Sequence, residues 1–464
     1  MIGPSLVIRG GDVVTPQGIQ RVDIVVRDQK IIGVEKGIAT DSETSVLDAS
    51  GYHVLPGLVD IHVHLRDPGF TAKEDFYSGT RAAAAGGVTT VIAQPNTTPA
   101  ITDLQSLAVV REEGSRKAVV DFGIAPALRP DNLSHLPDLA ATGAVYFDIA
   151  PKDWPPALLD SSRDNRLASV LGAAAAVGRV VAIFASNQAV AYAATAKVKE
   201  ARRNDLMALA DAYSEEIEVS AVETLFRAVR KSRSRVHLKM VSCGAVLDRL
   251  ASYRAALPPG ALTAEVTPHH LYCTRDEITR QGPAALMEPP LRSRRDNEQL
   301  QAGLRTGVID IVATDHAPHT LAEKEAHRQN VWQVPQGVPG LETLLPSLLT
   351  AVERGELGLK DVVRAACLLP ALLCGLYPRK GHIAPGADAD LVIVDTEAAF
   401  PVQPWSFQSR ARFSPFAGRI LKGRVLVTLV RGRVVFDAAQ ALDPIVVPPG
   451  WGEFLAPTEA ASQS

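Results

Sequence analysis

Between residues 55 and 383, short runs rich in β-branched residues alternate with Ala-, Leu- and Arg-rich segments of helical length. This is the pattern of repeated strand–helix units, which build a parallel sheet with helices packed outside it. Eight strands can be counted: LVDIHVH (58–64), VTTVIAQ (88–94), VVDFGIA (119–125), AVYFDIA (144–150), VVAIFAS (180–186), VHLKMVS (236–242), LTAEVTP (262–268) and IDIVATD (309–315). Eight such units predict an α/β chain closed into a (β/α)8 barrel of the TIM type, which needs about 250 residues.

The two ends of the chain read differently. Alternating strands fill residues 1–54 and return over 384–440, in DADLVIVD (388–395) and GRVLVTLVRGRVVFD (423–437). They predict a small β-sandwich domain built from both chain ends around the barrel of 55–383. Residues 441–464, with Pro-Pro-Gly and then TEAASQS, read as a poorly ordered tail.

Composition narrows the range of partners. A net charge of −3 offers no basic surface for nucleic acid or an anionic membrane, so a small-molecule partner is expected. The start, MIGPSLVIRGGDVV, alternates like a strand and lacks the basic flank and apolar block of a secretory signal. The richest apolar run, LGAAAAVGRVVAIFA, is broken by Arg179 and falls short of the ~20 residues a membrane helix needs. A soluble, cytoplasmic protein is expected, and a homo-oligomer. Cys243, Cys273, Cys367 and Cys374 show no CxxC spacing and read as buried thiols.

Polar residues gather at the ends of the strand runs, where a barrel places its active site: His62, His64, Asn96, Asp148, Ser186, His269 and Asp315. Residues two apart on a strand point the same way, so His62 and His64 can converge on one metal ion. An HxH pair alone is equally a simple polar alternation. Asp315, ending the eighth strand, adds a carboxylate across the same mouth and makes three ligands of suitable type.

The motifs DIHVHLRDPG (60–69), QPNTTPAITD (94–103), TPHHL (267–271), PPLRS (289–293) and ATDHAPHTLAEKE (313–325), with KGHIAPGADADLVIVD (380–395), resemble the dihydroorotase branch of the cyclic amidohydrolases over nearly the whole chain. The resemblance implies reversible hydrolysis of dihydroorotate to carbamoyl aspartate, with a hydroxide bridging two metal ions as nucleophile. It implies that Asp315 carries the proton to the leaving nitrogen, and that Arg66, Asn96 and His319 hold the substrate carboxylate. Arginine suits that task through its bidentate fork. Read without the resemblance, Arg66 could pair with Asp67 or Asp75, Asn96 could cap its turn, and His319 could close its loop.

The sequence also departs from the family pattern. A carboxylated lysine is usual on strand four, where Asp148 stands; its shorter side chain reaches one ion rather than two. Phe184 and Met240 stand where strands five and six usually carry ligand histidines, and neither is a suitable donor for zinc. His237 matches a histidine that is not a ligand. Glu288, in MEPPLR, places an acid near the expected substrate carboxylate, or pairs with Arg292 or Arg294.

Two functions follow. One is a hydrolase of dihydroorotate or a related anionic cyclic amide or imide, with one Zn2+ per chain held by His62, His64, Asp315 and Asp148. No residue of the sequence is identified to replace the second ion's hold on the developing oxyanion. The other is an inactive homologue without metal, acting as a scaffold subunit for aspartate transcarbamoylase.

Overall fold

The computed structural model describes residues 6–15, 17–154 and 164–458; the expectations for the extreme termini lie outside them. All eight expected barrel strands form: Leu58–Val63, Val88–Ala93, Asp121–Ile124, Phe147–Ile149, Val181–Phe184, Val236–Lys239, Leu262–Val266 and Ile311–Val312. They make a three-stranded and a five-stranded parallel sheet. The two sheets meet at both seams through the parallel bridges Ala127↔Asp148 and Val63↔His316. At the second seam the His316 amide donates to the His62 carbonyl and the His64 amide to the His316 carbonyl, tying the first strand to the eighth.

Around the barrel, capping side chains start the helices where the sequence changes period. Asp75 begins Phe76–Ala85, Ser293 begins Arg294–Thr306 and Thr320 begins Leu321–Glu325. The main core lies between strands and helices. A smaller one, with Val59, Ile61, Ile92, Ala182 and Ile311, fills the barrel interior. Among the described residues no helix is long and apolar enough to cross a membrane.

Both chain ends enter one eight-stranded sheet. Leu391–Pro401 pairs with His53–Pro56, which lies beside Leu6–Thr15, so the last third of the chain is stitched to the first sixty residues. Ile8, Ile24, Ile31, Val54, Leu391 and Leu429 form its core.

The expectation of a loose tail is corrected over 450–458. The Phe122 amide donates to the Glu453 carbonyl and the Leu455 amide to the Phe122 carbonyl. Phe454 lies against Phe122, and Leu455 is fully buried with the apolar residues of the barrel interior. Apolar burial of Phe454 and Leu455 and two backbone hydrogen bonds hold the segment, although the prolines and polar residues of 441–464 as a whole read as a loose tail.

Candidate active site

Three of the expected ligands meet at the C-terminal mouth of the barrel. His62 Nε2 is 3.2 Å and His64 Nε2 3.1 Å from the same oxygen, Asp315 Oδ1, and the potential ligand atoms all lie within 4.8 Å of one another. The backbone is strained where it presents these groups. Arg66, Met240 and Asp315, just past strands one, six and eight, are non-glycine residues at φ of 62°, 52° and 43°. Such conformations cost of order 1–3 kcal/mol each and gather at functional sites.

The other nitrogen of each histidine ring is already held. His62 Nδ1 lies 2.6 Å from Glu265 Oε1 and His64 Nδ1 2.6 Å from Asn96 Oδ1. Both partners are acceptors, so Nδ1 carries the proton and the Nε2 lone pair faces the site. Glu265 is braced in turn by His237 Nε2 at 3.0 Å, whose Nδ1 lies 2.9 Å from Thr263 Oγ1. Burial alone would raise the Glu265 pKa, but His62 and His237 draw it down to about 2. Burial drops His64 to about 4, keeping it neutral. The Asp315 carboxyl, which burial would raise, is held far below its ordinary value by His62 and His64. Two lone pairs and a carboxylate converging in a buried place fit a divalent cation.

Asp148 does not join this cluster. Its Oδ1 pairs with the ammonium of Lys239, so the expectation that it ligates the ion is corrected. The reason is the strand order: strands four and six flank strand five, so inward-facing side chains from the two can meet, and a buried cation reaches the carboxylate first. Lys239 also reaches Gln94 Oε1 at 3.3 Å. Phe184 and Met240 line the same cleft and supply no ligand atom suited to a hard cation.

A cleft of about 610 Å3 opens over the cluster, with Arg66, Asn96, His319 and Glu288 on its wall. Asp67 and Asp75 are taken by Lys117 and Arg410, so neither neutralises Arg66. The guanidinium instead donates from Nε to the Pro318 carbonyl at 3.3 Å and lies 3.5 Å from His319 Nε2. His319 Nδ1 is 2.7 Å from Glu323, which the Thr320-capped turn positions. Burial, with the charges of Arg66 and Lys73, lowers the His319 pKa to about 3, so it serves as a neutral group. Asn96 gives its carbonyl oxygen to His64 and keeps its amide nitrogen as a donor.

Arg292 is committed to Glu218 at 2.7 Å rather than to Glu288. The Glu288 pKa is raised by its surroundings in the cleft, against the pull of Lys152. His270 belongs to the framework, between Thr267 Oγ1 at 2.8 Å and the Pro289 carbonyl at 3.1 Å. Buried His269 feels the charges of Asp315 and His62, and its Nε2 has no hydrogen-bond partner among the described residues.

Glu265 and Lys239 are residues of the site that the sequence reading did not single out. Each was visible as the one Lys or Glu of a short, buried strand. Lys239 lies two residues from His237, and Glu265 two from Thr263, so both share an inward face.

The amidohydrolase family profile matches residues 53–435, and the chain belongs to that family. Within it, the chain is 39% identical to a dihydroorotase of Halobacterium salinarum over 412 residues, covering 86% of this chain and 90% of that one. It is 30% identical to an L-hydantoinase of Paenarthrobacter aurescens over 453 residues, covering 97% and 98%. The solved L-hydantoinase (dihydropyrimidinase) from Arthrobacter aurescens superposes with a TM-score of 0.91 at 30% identity, over 98% of this chain and 100% of that one. The resemblance to dihydroorotases read from the motifs is borne out.

Proposed function

We propose that the chain hydrolyses a cyclic amide bearing a carboxylate, dihydroorotate or a close relative of it, with one Zn2+ held by His62, His64 and Asp315. The observation that carries this reading is the convergence of those three side chains with both histidine Nδ1 atoms already engaged. A zinc ion bound there would lower the pKa of a water toward 7 and so supply the nucleophile. Asp315 would take a proton from the attacking water and pass it to the ring nitrogen as the C–N bond breaks. Arg66, with its planar fork, and the free donor of Asn96 hold the substrate carboxylate, while neutral His319 fixes the guanidinium. The relatives named for dihydroorotate and hydantoin hydrolysis support a ring amide as the reacting group.

Four buried free thiols suit a reducing, cytoplasmic setting. A homo-oligomer remains part of the reading. No observation favours a scaffold role beside aspartate transcarbamoylase.

The test pairs metal content with turnover. Protein purified without chelator and supplied with zinc should hold about one ion per chain. It should open dihydroorotate or a hydantoin carrying a carboxylate, and Asp315→Asn should lose both the ion and the activity. A chain that binds no ion and opens no cyclic amide would overturn the proposal and turn attention to the transcarbamoylase.

A further inference from the structure

Resting on the cyclic-amide reading, we infer that Lys239 is a catalytic residue whose ammonium binds the carbonyl oxygen of the scissile amide, in the place where a second metal ion would otherwise stand. When water adds to the amide carbon, the carbonyl π pair moves onto oxygen. A fixed cation aimed at that oxygen is worth far more in a cleft that excludes water than in solution. The oxygen pair re-forms the C=O bond as the C–N bond breaks; the C–N pair leaves on the ring nitrogen, which receives the water proton through Asp315. Lys239 donates a hydrogen bond throughout and transfers no proton, so the step balances without a further reactant.

Three observations place Lys239 in this role. It lines the same cleft as His62, His64 and Asp315. Its side chain is 5% exposed, which confines it to one geometry. Its ammonium has three N–H groups, and Asp148 and Gln94 are the two acceptors within reach among the described residues. One donor is therefore left for the cleft.

The Gln94 contact is itself fixed. Its Nε2 lies 2.7 Å from Tyr146 Oη, 3.2 Å from the Ile61 carbonyl and 3.3 Å from the Ile92 carbonyl, so only Oε1 can face the lysine. Tyr146 donates onward to the Ile61 carbonyl. Asp148 is anchored through its backbone, its amide donating to Pro126 and its carbonyl accepting from Leu128 at 2.7 Å. A lysine held this way needs little reorganisation at the moment of reaction. The same arrangement excludes a second cation, because the ammonium repels it, Asp148 is engaged, and Phe184 and Met240 offer no suitable ligand.

The experiment compares wild type with Lys239→Met, Lys239→Ala and the paired variant Lys239→Met/Asp148→Asn, which leaves no lone buried carboxylate if the single variants fold poorly. Wild type should bind one zinc per chain even in excess zinc, and the variants should keep that ion. Against a turned-over cyclic amide, kcat should fall about 10²–10³-fold with little change in KM. Ethylamine should restore part of the rate to Lys239→Ala in proportion to its concentration, which a merely structural lysine would not allow. Borate, a tetrahedral oxyanion, should bind the zinc-loaded Lys239→Met protein at least tenfold more weakly by calorimetry.

The borate measurement needs no substrate. A wild type that opens no cyclic amide yet shows the borate loss would defeat the proposed function and leave the lysine assignment standing. An active wild type with unchanged kcat and borate affinity in Lys239→Met would do the reverse. Two zinc ions per wild-type chain would overturn the assignment directly.

Discussion

Of the buried lysines, Lys380 and Lys239 lie near opposite ends of the barrel. At the N-terminal end, where strand three begins at Asp121, Lys380 lies 2.5 Å from Asp121, 2.7 Å from Asp390 and 2.9 Å from Asp388. Arg431 closes on Asp121 as well, and the Glu453 amide donates to the same carboxylate. Every N–H of Lys380 has a carboxylate, and the residue is fully buried. At the C-terminal end Lys239 has one carboxylate, one amide oxygen and a donor left over beside a cleft. Burial of a charge is costly at both ends. Saturation removes the chemistry from the first lysine and makes it a tie between the barrel, the β-domain and the chain end. Incomplete satisfaction leaves the second able to act on a ligand.

If that contrast is right, the largest loss of stability comes from the saturated end. Lys380→Met leaves three buried carboxylates short of a cation and should cost about 3–5 kcal/mol in urea unfolding. The same substitution at Lys239 unpairs one buried carboxylate rather than three, and should cost less than half as much. Equal costs would break the comparison.

The sequence carried the frame of this contrast but not its contents. The eight barrel strands were legible because each β-branched run is short and bounded, and barrel geometry turns the end of each run into a place at the mouth. His62, His64 and Asp315 could be read together because strand parity and strand end are both written locally. The Lys239–Asp148 pair spans 91 residues and depends on strands four and six coming to lie on either side of strand five, which no local pattern states. Lys380 and Asp121 are 259 residues apart, and their contact exists only once both chain ends have closed on the barrel floor. Leu455 was misread for the same reason. The stretch around it carries Pro448, Pro449, Glu453, Pro457 and Thr458 and no strand or helix period, while its neighbours in space are the barrel interior.

A smaller effect separates the metal ligands from what orients them. Glu265→Gln keeps an acceptor beside His62 but removes the charge braced by His237. Zinc affinity, measured by chelator competition, should fall about 10–100-fold. Unfolding should change by about 1 kcal/mol or less, because no unpaired charge is left behind. A loss of stability comparable to that of Lys380→Met, with zinc affinity intact, would move Glu265 from the functional end of the comparison to the structural one.

The smallest effect tests whether the saturated cluster acts through its charges, and pH is the probe. Burial alone would raise the Asp388 pKa, but Lys380, Lys30 and Arg379 outweigh it and hold the group below its ordinary 3.8. A carboxyl depressed in the folded state contributes stability that is present above the unfolded pKa and is lost as pH falls through the folded one. Lys30 and Arg379 are partly open to water, so screening limits the gain from Asp388. Asp388→Asn should therefore be about 1 kcal/mol less stable than wild type at pH 7. The gap should hold steady down to pH 5 and close below pH 4, as the wild-type carboxyl takes up its proton. A gap of the same size at pH 3 would mean that Asp388 acts by shape and hydrogen bonding. The saturated end would then owe its stability to packing rather than to paired charge.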